Sequence, residues 1–198
     1  FSQYDNLPKK FSDFLIAQVA AKVAQKTEQN IWQGATANAG EFNGFQALLA
    51  ADGDVVDQAA VGGGLTAGNI VAELGKVVDK IPSGVYGKED LKIYIPTSAA
   101  KFYIQAQAAL GYRELYNVGQ TEMNFQGIPL FVAQGLGDDK MVAAQSSNLF
   151  FGTGLLNDWQ EVKLIDMADI DGSQNVRVVL RGSAGVQHGI GSDIVLYS

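Results

Sequence analysis

The sequence predicts an α+β chain, and three observations predict it. A long amphipathic helix occupies the N-terminal end, helix and strand patterns alternate through the middle, and the last fifty residues read almost wholly as antiparallel strands. With 198 residues, 47% of them hydrophobic and 18% charged, the chain can bury a substantial core as one large domain or as two interwoven ones.

Pro8 suits a first helical turn, where its missing N–H is an orphan in any case, with Asn6 or Leu7 near the cap. Phe11, Leu15, Val19, Val23 and Thr27 then recur every fourth residue, joined by Ile16, Ala20, Ala24 and Ile31. The stripe predicts a helix over 8–33 of roughly six or seven turns, on the order of 35 Å long, with Gly34 as the left-handed residue that ends it. Residues 35–64 are small and polar; loops are expected there, with a short helical turn near 44–51 and one extended piece over 54–61 able to pair with a sheet.

Thr66 is expected to cap a second helix carrying Ile70, Val71, Leu74, Val77, Val78 and Ile81, ended by Pro82. Residues 91–95 suit a buried strand, and Pro96-Thr97-Ser98 opens a third helix over 99–110 with Gly111 as its stop. Phe102, Tyr103, Ala106 and Leu110 form that helix's inner face. The period then changes to two. Segments 123–125 and 128–132 flank Gln126-Gly127, a hairpin signal, and 141–144 follows a turn at 135–139. Long strands over 158–168 and 175–181 meet at Asp171-Gly172, and 184–188 and 194–197 surround Gly189-Ile190-Gly191. No repeat of fixed period appears, which excludes solenoids and propellers.

The formal charge of −7 is spread as −3, −1 and −3 over 1–58, 59–145 and 146–198, so no segment is a basic nucleic-acid platform. There is no cysteine, which excludes disulfides, thiolate chemistry and thiolate zinc sites. No apolar run reaches 18 residues, so no membrane span is expected. No basic-then-apolar leader is visible ahead of the helix and the first residue is Phe1, so a segment upstream is expected.

Several stretches resemble reactive machinery, and each has a plainer reading. Gly62-Gly63-Gly64-Leu65-Thr66-Ala67 fits a dinucleotide-binding turn before a helix, but the strand at 91–95 ends without the acidic residue a ribose needs, so a loop into a helix is favoured. Asp169-Ile170-Asp171-Gly172 has the start of a calcium loop, yet the twelfth position is Leu180 and not Glu, so a hairpin turn is favoured. His188, the only histidine, has Ser183 and Asp193 near it without a nucleophile elbow. Asp138-Asp139 reads as a turn pair before it reads as an acid/base couple. Phe11, Phe14, Phe102, Tyr103 and Phe125 read as core and not as a stacking platform. No catalytic, cofactor-binding or metal-ligating residue is assigned, no cofactor is expected, and the chain is not expected to be an enzyme; an α/β nucleotide-binding enzyme is the less favoured reading.

Glu28, Ile31, Gly34 and Phe42-Asn43-Gly44-Phe45 together resemble the end of the spine helix and the following glycine-phenylalanine link of tailed-bacteriophage major capsid proteins with the Hong Kong ninety-seven fold, shared with encapsulin shells. Ile95-Pro96-Thr97 opening the helix that contains 101–110, and Phe125-Gln126-Gly127-Ile128-Pro129-Leu130, are similar to two further motifs of that family. The likeness covers most of the chain.

This resemblance implies a peripheral-type domain from 1–58 and 146–182, with a spine helix at 8–33 on long antiparallel strands. It implies an interleaved mixed α/β axial-type domain from 59–145 and 183–198. The family's N-terminal arm and extended loop find no match here, so the resemblance implies a fragment lacking both. The implied function is a structural capsid subunit that self-assembles, as pentamers and hexamers, into an icosahedral viral shell enclosing DNA, with an encapsulin-type compartment as the alternative. Implied partners are the chain itself, portal, scaffold, protease and decoration proteins, with packaged DNA contacted only non-specifically and no membrane. The implied location is the virion capsid, after synthesis in the bacterial host cytoplasm.

Overall fold

The computed structural model describes residues 9–109, 111, 123–154, 162–167, 170, 172–173, 176–180 and 183–198. The first element is the expected unbroken helix, α1 (Lys9–Gln33). After the 35–43 loop come α2 (Phe45–Ala51) and β1 (Val56–Gln58), the short helical turn and the extended piece read from the sequence. The middle of the chain gives α3 (Ile70–Lys80), β2 (Leu91–Ile95) and α4 (Thr97–Ala109). Strands follow: β3 (Asn124–Phe125), β4 (Ile128–Val132), β5 (Met141–Gln145), β6 (Leu149–Thr153), β7 (Val162–Asp166), β8 (Val176–Leu180), β9 (Ala184–His188) and β10 (Val195–Tyr197).

Among the described residues, six strands form one mixed sheet in the order β1-β10-β5-β2-β4-β3. β1 runs parallel to β10 and β2 parallel to β4, while the other neighbours are antiparallel. Both faces are buried, and the alternation along each strand decides which side chain goes where. Val195 and Tyr197 point into one core with Met141, Ala143 and Ile93, beneath α3 and α4. Leu196 points into the other with Val142, Ala144 and Tyr94, where Trp32 of α1 and Phe45 and Leu49 of α2 close the face. Full burial of each such side chain contributes about 1.5–3 kcal/mol, so the sheet is the anchor for everything else.

Turn chemistry accounts for the joints. Gln126 and Gly127 both have positive φ, 49° and 82°, which matches the twist a two-residue hairpin needs between β3 and β4. Pro96 accepts the N–H of Ala100 through its carbonyl and so begins α4 two residues earlier than its apolar pattern suggests.

Three expectations need correction. Thr66 does not cap α3: its N–H donates to Asn69 Oδ1 (2.7 Å) in a turn, and Asn69 is the residue flanking the helix. Gly34 is not left-handed; it ends α1 for a steric reason given below. Phe14 is 65% exposed and so is not core, whereas Tyr103 and Phe125 are buried and Phe102 packs partly against them. The strand β6 falls in the strand-like last fifty residues without bounds of its own in the sequence reading, and a 3-10 turn (Ser146–Asn148) precedes it. Phe11's side chain, Leu110, Asp169 and Asp171 lie outside what is described.

Candidate assembly surfaces

The end of α1 is built for close backbone contact. Trp32 sits between Phe45 and Tyr94, with ring centroids 5.4 and 5.2 Å away, and its indole N–H donates to Glu28 Oε1 (3.3 Å). Around it, three glycines meet bare main chain. A Cβ on Gly34 would strike the carbonyl oxygens of Phe42 and Asn30; one on Gly44 would lie 2.6 Å from the Trp32 carbonyl oxygen; one on Gly135 would overlap the carbonyl of Glu28. Small residues are needed here because loop and helix backbones touch directly. Gln33 Nε2 then donates to the Gly135 carbonyl (2.7 Å), tying the helix to the β4–β5 loop.

The 35–43 loop is fastened by one carboxylate. Glu41 pairs with Lys26 of α1 (2.7 Å), accepts from Asn38 Nδ2 (3.0 Å), and accepts the Ala35 N–H (3.3 Å). Lys26 first, then Asn38 and Ala35, lower its pKa from 4.5 to about 2. Because the folded value lies below the unfolded one, this contribution is present above pH 4.5 and is lost as the pH falls from there through about 2. An NMR titration should place the Glu41 carboxyl midpoint near 2 and move it back toward 4.5 in Lys26→Met; an unshifted midpoint in the parent chain would remove the fastening.

Away from this junction, α1 is sparsely covered. The apolar stripe expected to be an inner face is only half-buried at Ile16, Val19, Val23 and Ile31, and Ala20 and Ala24 are exposed. Phe151 and Thr153 of β6 flank it, leaving an open apolar groove of about 470 Å³. Phe151, 47% exposed, borders this groove, so the side presents an apolar surface to whatever lies beside it, and Phe150 and Phe14 are exposed elsewhere at 55% and 65%.

The stretches that resembled reactive machinery serve as ties within the chain. The carboxylate of Asp139 occupies the glycine-rich turn, accepting the Leu65 N–H (2.6 Å), and lies about 3 Å from where a Gly64 Cβ would be. An anion of the protein thus fills the place where a pyrophosphate would need to sit. Asp139 itself has φ of 60°, a turn conformation that Asp tolerates, and Asp138 accepts from Ser98 Oγ (2.6 Å) at the start of α4. The two neighbours therefore point to different partners.

His188 and Ser183 sit at opposite ends of the β9 segment, five residues and about 16 Å apart at strand spacing. His188 Nε2 meets Asp52 Oδ2 instead (2.7 Å), joining the end of α2 to β9. The Asp54 N–H and then His188 hold the Asp52 carboxyl below its usual range. Asn148, also buried, accepts the N–H groups of Gly189 and Ile190 and donates to the Ile190 carbonyl, shaping the turn that follows β9. No sequence signal pointed to Asp52 or Asn148, since their partners lie 136 and about 40 residues away. Among the described residues no cluster of His, Asp or Glu has the makings of a metal site, and no helix is long and apolar enough to cross a membrane.

No protein-family model matches the chain and no curated protein matches it in sequence. Solved structures do match in fold. A structure from Mycobacterium phage Che8 superposes over 96% of this chain with a TM-score of 0.57 at 11% identity, and the chain spans 63% of that chain's length. The procapsid of satellite phage P4, solved with its size determination (Sid) protein, matches over 95% with a TM-score of 0.58 at 8% identity, the chain spanning 67% of its counterpart. A virus-like particle from Pyrococcus furiosus is more distant, at a TM-score of 0.45 and 12% identity over 76% of this chain and 57% of its own. By these matches the chain, with its long helix tied to a doubly buried mixed sheet, has a phage capsid-protein fold.

Proposed function

We propose that the chain is a shell subunit, assembling with copies of itself into an icosahedral capsid that encloses DNA. The observation that carries this reading is the fold likeness to phage capsid structures over 95–96% of the chain. Two features support it. The groups that could have been reactive are engaged in holding loops, which favours a structural over a catalytic role. The apolar side of α1 and β6 has the character of a surface completed by a neighbour.

In this reading the segments 1–58 and 146–182 act as the peripheral part and 59–145 and 183–198 as the axial part, meeting neighbours around different symmetry axes. Pentamers and hexamers of the same chain then close the shell, with portal, scaffold, protease and decoration proteins as partners during synthesis in the host cytoplasm. A wall of net charge −7 contacts packaged DNA only loosely.

Expression of the complete gene product, followed by negative-stain microscopy and nuclease digestion, tests this. Closed particles of uniform diameter with nuclease-protected DNA are expected when the other head proteins are co-expressed. Particles that carry a protein cargo and no DNA would point to a compartment shell, and a monomer at every concentration would overturn the shell reading.

A further inference from the structure

Asn43-Gly44 is the only Asn-Gly pair in the sequence. In an unfolded chain such a pair is chemically unstable. The residue after the asparagine has no Cβ, so its main-chain nitrogen reaches the carboxamide carbon without obstruction and displaces ammonia.

The fold holds both reacting groups. The Gly44 N–H donates to the Gly34 carbonyl (2.8 Å) and Gly44 is buried, so the nitrogen that must lose its proton is hydrogen-bonded and shielded from base. Asn43 is exposed, but its Oδ1 accepts both the main-chain N–H (3.0 Å) and the hydroxyl (3.1 Å) of Thr36, which fixes the carboxamide toward the start of the 35–43 loop. Glu41, paired with Lys26, fastens the same loop to α1 from the other side of Phe42.

We propose that Asn43 is a deamidation site that the fold keeps closed, with the 35–43 loop as its gate. When the loop lifts, base takes the Gly44 N–H proton and the nitrogen lone pair forms a bond to Asn43 Cγ. The Cγ–Nδ2 bond breaks, and Nδ2 leaves as ammonia with a proton from water, leaving a five-membered succinimide. Water then adds to either ring carbonyl and opens the ring to aspartate or isoaspartate. Nothing is oxidised or reduced.

The two products differ in whether the loop can close again. Aspartate keeps the main chain as it was, whereas isoaspartate routes it through the side-chain carbon and lengthens it by one atom. The junction has no space for that atom, since even a Cβ on Gly44 would lie 2.6 Å from the Trp32 carbonyl oxygen and 2.7 Å from that of Asn30. A reversible opening thus becomes a permanent one. This chemistry belongs to the single chain and does not depend on whether that chain builds a shell.

Incubation in mildly alkaline buffer, followed by peptide mass spectrometry, tests the gate. The folded chain should deamidate at Asn43 about a hundredfold more slowly than the same chain unfolded in guanidinium chloride, because the hydrogen bonds at Asn43 and Gly44 must open first. Thr36→Val, which removes one donor to Oδ1, should speed the folded chain's reaction about fivefold. Lys26→Met, which frees Glu41 from α1, should speed it about threefold. Equal rates in the folded and unfolded chain would overturn the proposal. So would a slower reaction in Thr36→Val, because the Thr36 donors would then be activating the carboxamide and not holding it. Chains carrying isoaspartate at 43 should melt below the parent while Asn43→Asp melts with it; if both melted with the parent, the one-way opening would be wrong.

Discussion

Gly135→Val should lower the melting temperature by about 6–12 °C, corresponding to about 3 kcal/mol of overpacking in a chain of this size. The site has no space for a side chain: its Cβ would overlap the Glu28 carbonyl and lie 2.8 Å from the Gln29 nitrogen, both main-chain atoms of α1 that cannot rotate aside. The strain resolves only by lifting α1 away from the β4–β5 loop. That breaks the Gln33 to Gly135 hydrogen bond and loosens Trp32 between Phe45 and Tyr94. In a Trp159→Phe background, Trp32 fluorescence should shift to the red along with the drop in melting temperature. Gly53→Ala is the control, since a Cβ there meets nothing within 4 Å, and it should stay within about 0.5 kcal/mol of the parent. If the two variants melted alike, the direct backbone contact between helix and loop would be wrong.

Tyr197→Phe should cost about 2–3 kcal/mol even though it removes a single oxygen. That hydroxyl donates to Glu73 Oε2 (3.0 Å) and accepts the Val61 N–H (2.9 Å) beside a side chain with no exposure. Glu73 is 3% exposed and would keep only Lys76 (2.7 Å) among these partners. The phenol also sets an alkaline limit. Burial is the main cause that raises its pKa above 10; the Val61 N–H opposes it, and the neighbouring Glu73 and Asp139 carboxylates add to the rise. A raised folded pKa means the stabilisation is complete below pH 10 and is lost as the pH climbs from 10 toward the folded value. Burial raises Tyr94 and Tyr103 in the same direction. Denaturant midpoints measured from pH 8 to 11 should therefore fall steeply above 10, and Tyr197→Phe should start lower but fall less. Parallel curves for the two proteins would show that Tyr197 ionises as freely folded as unfolded.

Both predictions rest on features that differ in how far the sequence reveals them. The small, uncharged character of the segment after α1 is visible in the residues, and close backbone approach is a fair reading of it. That Gly135, a hundred residues later, completes the same junction is not visible at all. Tyr197 reads as an ordinary strand residue, and Glu73 as a solvated position on a helix; only their meeting under α3 makes them a buried pair. The apolar stripe of α1 carries the opposite lesson. Its spacing correctly specifies a helix, but the spacing of apolar residues cannot say whether the face they form is covered by the same chain, and here Phe14 and much of the stripe remain open.

By itself the sequence determined the elements whose causes are local: α1, α3, β2, α4, the β3–β4 hairpin at Gln126-Gly127, and β9. Periodicity, proline and turn residues act within a few positions of one another, so they survive in one dimension. Only the tertiary structure decided the parallel pairing of β1 with β10, the pairing of β6 with β9, the attachment of His188 to Asp52, the filling of the glycine turn by Asp139, and the reason Gly34 is glycine. Each of these depends on which atoms come within a few ångströms after the chain has closed on itself, and sequence separation carries no information about that distance.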